Sequence, residues 1–340
     1  MRIWLGMALG GIALLAPAPV SAQGDTLRAL AAARGIDIGA AVDVRALASE
    51  ADYAEVLERE FSMVVGENAF KWENIHLTSK LYYFDDTDAI VAFAEANGMK
   101  VRGHTLVWHN QNPSWLARNL KTRDEAIAAL KDHIQTVVGH YKGRIVAWDV
   151  VNEAVDDSTG ELRESPWLTA IGPDYIALAF QFAREADPDA KLYYNDYSAE
   201  GVGGKGDAVY ELVKGLKEQG VPIDGVGWQG HFQSSSFIMD MKDNGRRLAE
   251  LGLEVSITEL DVRIPIPVTD LMLEKQAKMY AKVTEICLAL PNCKAIVAWG
   301  FTDKHSWVPG FFSGEGAALP FDESYTPKPA YEAIRAALQK

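Results

Sequence analysis

Cysteine is almost absent from this chain, which holds only Cys287 and Cys293. Two thiols rule out a disulfide-built scaffold, and with no cluster of further ligands nearby they rule out a thiolate zinc site. In an exported chain, two cysteines this close in sequence predict one short-loop disulfide, Cys287 to Cys293. Basic charge is also in deficit, with 33 Lys and Arg against 47 Asp and Glu and a net charge of −14. That balance excludes a nucleic-acid partner and adhesion to an anionic membrane, both of which need a basic footprint.

Long apolar runs are missing beyond the first residues. Arg2 precedes an apolar stretch from Ile3 to Leu15, followed by APAPVSA with small Ala22 before Gln23. The stretch is shorter than the roughly 20 residues a bilayer span requires. It reads as a secretory signal peptide over residues 1–22, cleaved after Ala22, so the expected location is secreted or periplasmic, with no membrane attachment after cleavage. Low-complexity segments, heptads, linkers and fixed-period repeats are absent as well. Residues 23–340 are therefore expected to form a single domain, within the size range of an α/β barrel.

What the chain does contain is a series of short apolar segments with strand character: IDIGAAVD at 36, FSMVVGEN at 61, KVRGHTLVW at 100 and IVAWDVVNE at 145. KLYYND at 191, DGVGWQGHF at 224, EVSITELDV at 254 and KAIVAWGFT at 294 complete it. Between them lie segments of helical period, such as DAIVAFAEANG, DEAIAALKDHIQTVVGHY and LMLEKQAKMYAKVTEICLAL. Eight buried strands alternating with helices predict the α/β class and a (β/α)8 TIM barrel. The competing open doubly wound sheet would announce itself with a glycine-rich phosphate turn after its first strand, and no GxGxxG is expected in this chain.

In such a barrel, the C-terminal strand ends form the site. Here they deliver Glu67 and Asn68, His104 and Trp108, Asn152 and Glu153, Asn195 and Asp196, Gln229 and His231, Glu259 and Asp261, and Trp299. Any one of them alone could be a cap or a support; seven strand ends carrying polar or indole groups to one face point to a ligand. Acids, uncharged hydrogen-bonding groups and tryptophans suit a neutral polyhydroxylated molecule, because indole faces pack on sugar C–H surfaces. A metal is the rival reading, through His104, His109 and Asp196. HExxH, an EF-hand loop and a dense Asp/His cluster are all absent, so a metal is not expected.

Several longer motifs now carry a family resemblance: GENAFKWE at 66–73, RGHTLVWHNQNPSW at 102–115, WDVVNEAV at 148–155 and YYNDY at 193–197, followed by GWQGHF at 227–232, ITELDV at 257–262, AWGFTDKHSW at 298–307 and TPKPAY at 326–331. In this order and spread, the chain resembles glycoside hydrolase family 10, the endo-1,4-β-xylanases. The resemblance implies a (β/α)8 barrel that hydrolyses xylan and xylo-oligosaccharides with retention of configuration and without a cofactor. It makes Glu153 the general acid/base and Glu259 the nucleophile. Glu67, Asn68 and Lys71 match ligands of the glycone hydroxyls, with Lys71, His104, Asn152 and Gln229 beside the sugar being cleaved. Trp108, Trp299 and Trp307 match the aromatic cleft walls, Gln111 and Tyr197 line the cleft, and His231 supports the charge of Glu259. That charge is expected to favour a protonated Glu153 in the free enzyme.

Asp196 and Asp261 read as orienting groups, and Trp148 and Trp228 as core. Trp72 and Trp115 fit either role, and His133 and His140 are expected at the surface or in packing. Two departures from the family pattern, Asn110 and Leu319–Pro320–Phe321, lie away from the reacting centre. A monomer is expected. Bulk at Trp299 and Trp307 is the expected means of rejecting the hydroxymethyl group that distinguishes glucose from xylose. The alternatives are another retaining barrel glycosidase, such as an endoglucanase, and a catalytically silent sugar-binding barrel.

Overall fold

A computed structural model describes residues 25–238 and 240–340, and the leader expected over residues 1–22 lies outside them. Eight parallel strands close on themselves: β1 (Asp37–Val42), β2 (Met63–Gly66), β3 (Lys100–Trp108), β4 (Ala147–Asn152), β5 (Lys191–Asp196), β6 (Gly225–Trp228), β7 (Glu254–Pro265) and β8 (Cys293–Ala298). Each pairs with the next, and β8 returns to β1 with Asp37 opposite Ala295 and Ala40 opposite Ala298. Closure satisfies the backbone of every barrel strand and leaves no sheet edge, as expected for a (β/α)8 barrel.

The helices form where the period and caps foretold. Asp85–Ala96 stops before Gly98, whose φ of +59° a side chain would disfavour. Arg123–His140 opens with a capping box in which Thr122 and Glu125 satisfy each other's backbone N–H groups. Asp270–Leu288 is capped by Thr269 and packs against the C-terminal helix Pro329–Gln339. The expected disulfide is present: Cys287 near the end of that helix joins Cys293, the first residue of β8, with Cα atoms 5.3 Å apart. Among the described residues no helix is long and apolar enough to cross a membrane.

Two features differ from the sequence reading. GxGxxG spacing does occur, at residues 201–206 and 225–230, but it follows β5 and runs through β6, so the barrel topology is untouched. The barrel interior is also less apolar than the strand runs suggested. Ala41, Met63, Val65, Ala295, Val297 and Trp299 fill the side near β1, β2 and β8. On the opposite side Arg102, His104, Asp149 and Asn195 are buried and bonded to one another or to Glu259.

The layer between strands and helices holds most of the apolar core. Trp148 and Trp228, expected there, are fully buried. Trp148 needs Gly103 beside it, because a Cβ at that glycine would lie 2.1 Å from the indole. Trp72 resolves as packing: it is buried and stacks on His133, with ring centroids 3.6 Å apart. Trp115 is half-buried against the same group and donates to the main-chain oxygen of His76 at 3.0 Å. His133 is a fully buried packing residue, whereas His140 lies partly exposed, stacked on Phe84 and 3.0 Å from Asp88.

Candidate active site

Strand β4 stops at Asn152, one residue before the acid expected to end it. Glu153 adopts φ +56°, a left-handed conformation costing a side-chain-bearing residue about 1–3 kcal/mol, which surrounding contacts must offset. Its N–H donates to Asn195 O at 2.9 Å, and the next N–H, of Ala154, donates to the Tyr194 hydroxyl at 3.0 Å. The turn lifts the carboxyl off the pleat. There Oε1 accepts from Gln229 Nε2 and Oε2 from Trp108 Nε1, both at 2.8 Å. His109 Nδ1 lies 3.9 Å from the same Oε2.

Glu259 reaches the site differently, from the interior of β7, where the pairing with β8 shifts register between Ile257 and Leu260. Its Oε1 accepts from Asn195 Nδ2 at 2.7 Å, and its Oε2 lies 3.2 Å from His231 Nε2. His104 Nδ1 stands 3.8 Å from Oε1. Burial would raise this carboxyl, but His104 and His231 outweigh it and hold Glu259 below the usual carboxylate range. His231 is bonded in turn through Nδ1 to Asp261 at 2.9 Å, and Asp261 also accepts from Trp307 Nε1 at 2.8 Å. Burial opposes charge on this imidazole, yet Asp261 and Glu259 prevail and push its pKa up to about 10. His231 thus lies at hydrogen-bond distance from the Glu259 carboxyl, the neighbour the sequence reading named.

Asn152 links the two acids. Its oxygen faces Asn195 Nδ2 at 2.8 Å and Gln229 Nε2 at 3.3 Å. The reversed amide would set two N–H donors against each other, because Asn195 must present its nitrogen to the Glu259 carboxylate. In this orientation the Asn152 nitrogen lies 3.3 Å from Trp108 Nε1.

The remaining predicted residues line the same end of the barrel. Lys71 donates to Asn68 Oδ1 at 2.9 Å and lies 5.2 Å from the Trp108 ring centre and 5.9 Å from that of Trp299. Burial lowers its pKa against the pull of Glu259, Glu67 and Glu153. Burial also pushes the Glu67 carboxyl up to about 7, with Lys71 opposing. Trp299 meets His104 edge-on at 5.0 Å. Gln111 is turned aside by comparison, its amide donating to Glu73 Oε1 at 3.0 Å. Tyr197 lies under the Lys205 ammonium, 3.5 Å from its ring centre, with its hydroxyl bonded to Asp157 and Arg163. Asp196 accepts from Tyr194 and pairs with Lys205, and Asp261 orients His231, so both act as the supports expected.

Sequence reasoning passed over Arg102 and Asp149. The Arg102 guanidinium is fully buried and forks onto Asp149, whose Oδ2 then takes His104 Nδ1 at 3.1 Å. With Asp149 as acceptor, Nδ1 carries a proton. Each lies within a strand segment, and no spacing rule flagged them. Asn195 was noted at its strand end, but its bond to Glu259 was not. Gly227 gave no signal at all: a Cβ there would lie 2.1 Å from Asn195 Oδ1. No group of three or more His, Cys, Asp or Glu able to hold a metal occurs among the described residues.

Buried acid pairs walled by indoles and amides serve glycoside hydrolysis, and comparison with known proteins places this chain in that class. The chain belongs to glycosyl hydrolase family 10, whose sequence model matches residues 26–337. It is 48% identical over 318 residues to endo-1,4-β-xylanase B of Thermotoga neapolitana, covering 92% of each chain. It is 43% identical over 310 residues to exoglucanase XynX of Acetivibrio thermocellus, covering 87% of this chain and 28% of that longer protein. Among solved structures, xylanase 10B of Thermotoga petrophila RKU-1 in complex with xylobiose superposes with a TM-score of 0.90 at 50% identity, covering 92% of this chain and 97% of that one.

Proposed function

We propose that this chain is a secreted or periplasmic, monomeric, retaining endo-1,4-β-xylanase, with Glu153 as general acid/base and Glu259 as nucleophile. The observation that carries the reading is the unequal support of two buried acids at one barrel end. Glu259 accepts from an amide and faces an imidazolium, which suits a standing carboxylate. Glu153 sits on a left-handed turn with only neutral donors on its carboxyl, an indole and an amide. Retaining hydrolysis needs such a division of labour, with the two carboxyls about 5–5.5 Å apart.

Glu153 gives its proton to the glycosidic oxygen as Glu259 attacks the anomeric carbon, forming a glycosyl ester and releasing the aglycone chain. Glu153, now a carboxylate, takes a proton from water as that water breaks the ester. Asn152 offers its amide to the 2-hydroxyl, a contact that strengthens in the transition state. Glu67, Asn68, Lys71, His104 and Gln229 hold the glycone sugars; Trp108, Trp299, Trp307 and Tyr197 wall the cleft. The short-loop disulfide suits an oxidising compartment beyond the cell membrane.

Reducing-sugar release from xylan and from carboxymethylcellulose, with wild type beside Glu259→Ala, tests the reading. Xylan-selective release that falls by about a thousandfold or more in the variant is expected. A second reading, β-1,4-glucan hydrolysis, is favoured by the similarity to a protein called an exoglucanase. Comparable release from both polymers would promote it. Silence on both would instead favour a sugar-binding barrel.

A further inference from the structure

The loop after Glu153 carries an ionic cluster that the two-carboxylate mechanism does not use. Its centre is Arg163, which donates from Nε to the main-chain oxygen of Glu153 at 3.0 Å and from one terminal nitrogen to Val155 O at 3.0 Å. The same nitrogen reaches the Tyr197 hydroxyl at 3.0 Å and Asp157 at 3.2 Å. Its own backbone N–H donates to Ala154 O at 2.7 Å. Arg163 therefore grips three consecutive carbonyls, those of residues 153, 154 and 155, across the left-handed turn at Glu153. Lys205, buried between Asp196 and Asp157, covers the Tyr197 ring and fixes the far side.

We propose that Arg163 is a positioning residue for the acid/base step, clamping the Glu153 turn to the Tyr197 wall so that the carboxyl meets the leaving oxygen. This rests on the reading of Glu153 given above. The cluster pairs two cations, Arg163 and Lys205, with two acids, Asp157 and Asp196, so it adds no net formal charge beside Glu153. Its effect is geometric. A planar fork is required, since an ammonium cannot span the Glu153 and Val155 carbonyls and the Tyr197 hydroxyl in one plane. A plainer role, merely stabilising the hairpin in which Val155 pairs with Leu162, would leave catalysis indifferent to the leaving group.

The test compares wild type, Arg163→Met, Arg163→Lys and Glu153→Ala on xylan and on 2,4-dinitrophenyl β-xylobioside, whose leaving group departs without protonation. For both Arg163 variants, kcat/KM on xylan is expected to fall on the order of 10- to 100-fold, because small misplacements of a catalytic group are costly. On the dinitrophenyl substrate kcat/KM stays within about threefold, which also reports that the variant is folded. There kcat and KM fall together, because water attack on the glycosyl ester still needs the base, and azide restores kcat by attacking unaided. Equal losses of kcat/KM on both substrates, or an unchanged xylan rate, would overturn the proposal while leaving Glu153 in place. If Glu153→Ala itself shows no leaving-group dependence, the assignment of Glu153 falls and the proposal with it.

Discussion

Asn195 holds both acids at once: its side-chain nitrogen donates to Glu259 Oε1 at 2.7 Å, and its main-chain oxygen accepts the N–H of Glu153 at 2.9 Å. One residue of β5 thus sets the position of the nucleophile on β7 and of the turn after β4. Thr258 fixes its orientation through a hydrogen bond to Oδ1 at 2.6 Å. Gly227 must be glycine to leave room for it.

Adding a methyl group at Gly227 therefore acts on catalysis without touching either acid. In Gly227→Ala the new Cβ collides with Asn195 Oδ1 and drives the amide off Glu259. Losing one hydrogen bond to a buried charged group costs about 1.5–3 kcal/mol. A fall in kcat on xylan of roughly 10- to 100-fold is expected, with the circular dichroism spectrum unchanged. Asn195→Ala should fall by a similar factor, and combining the two changes should add little. Independent, multiplying losses would show that Gly227 acts by another route.

Glu67 gives a pH dependence of stability with a definite sign. Its folded pKa is raised from the ordinary 4.5 to about 7, so its contribution is present below about pH 4.5 and lost as pH rises through 7. Glu67→Gln never incurs the charged form. Relative to wild type it should gain about 2 kcal/mol on going from pH 4 to pH 8, allowing for partial exposure, while losing affinity for xylan. Urea denaturation at the two pH values measures this, and a difference that stays constant would contradict it.

His231 titrates in the opposite setting. Its pKa is raised from 6.5 to about 10, so its stabilising share is complete below about pH 6.5 and lost as pH climbs through 10. Nitrogen NMR at pH 8 should find both ring nitrogens protonated, with Asp261 and Glu259 as their acceptors. A neutral ring at pH 8 would remove the imidazolium from the support of Glu259.

Gly103→Ala tests the core directly. The methyl group would enter the Trp148 indole, with which no flexible side chain can give way. A loss of about 3 kcal/mol or more is expected, at or beyond the upper end of ordinary overpacking, read as a lowered denaturation midpoint. A loss below about 1 kcal/mol would mean that the indole has room to move.

Much of this was legible in the sequence, for physical reasons. Strands buried on both faces must be apolar, so β3 and β5 were read with their observed bounds, and the helix over Asp270–Leu288 announced itself by its period. Polar site residues interrupt apolar runs, and that break is what exposed Glu153, Glu259 and Gln229. The polar interior was hidden by the same logic. Arg102 and Asp149 stand far apart in sequence within strand-forming segments, and only the pairing of β3 with β4 brings them together. The turn at Glu153 escaped because nothing in Asn152–Glu153 signals a positive φ; the conformation is imposed by Asn195, Tyr194 and Arg163 from outside. Arg163 itself lies ten residues past the acid, outside every motif that marked the cleft.

The most direct test of the account is covalent trapping. A 2-deoxy-2-fluoro-β-xylobiosyl donor with a dinitrophenolate leaving group slows the second displacement and lets the glycosyl ester accumulate. Peptide mass spectrometry after brief incubation should find one fluoroxylobiosyl unit, attached to Glu259, and none in Glu259→Ala. An enzyme that turns over xylan yet forms no adduct, or forms it on Glu153 or another residue, would contradict the assignment of the two acids.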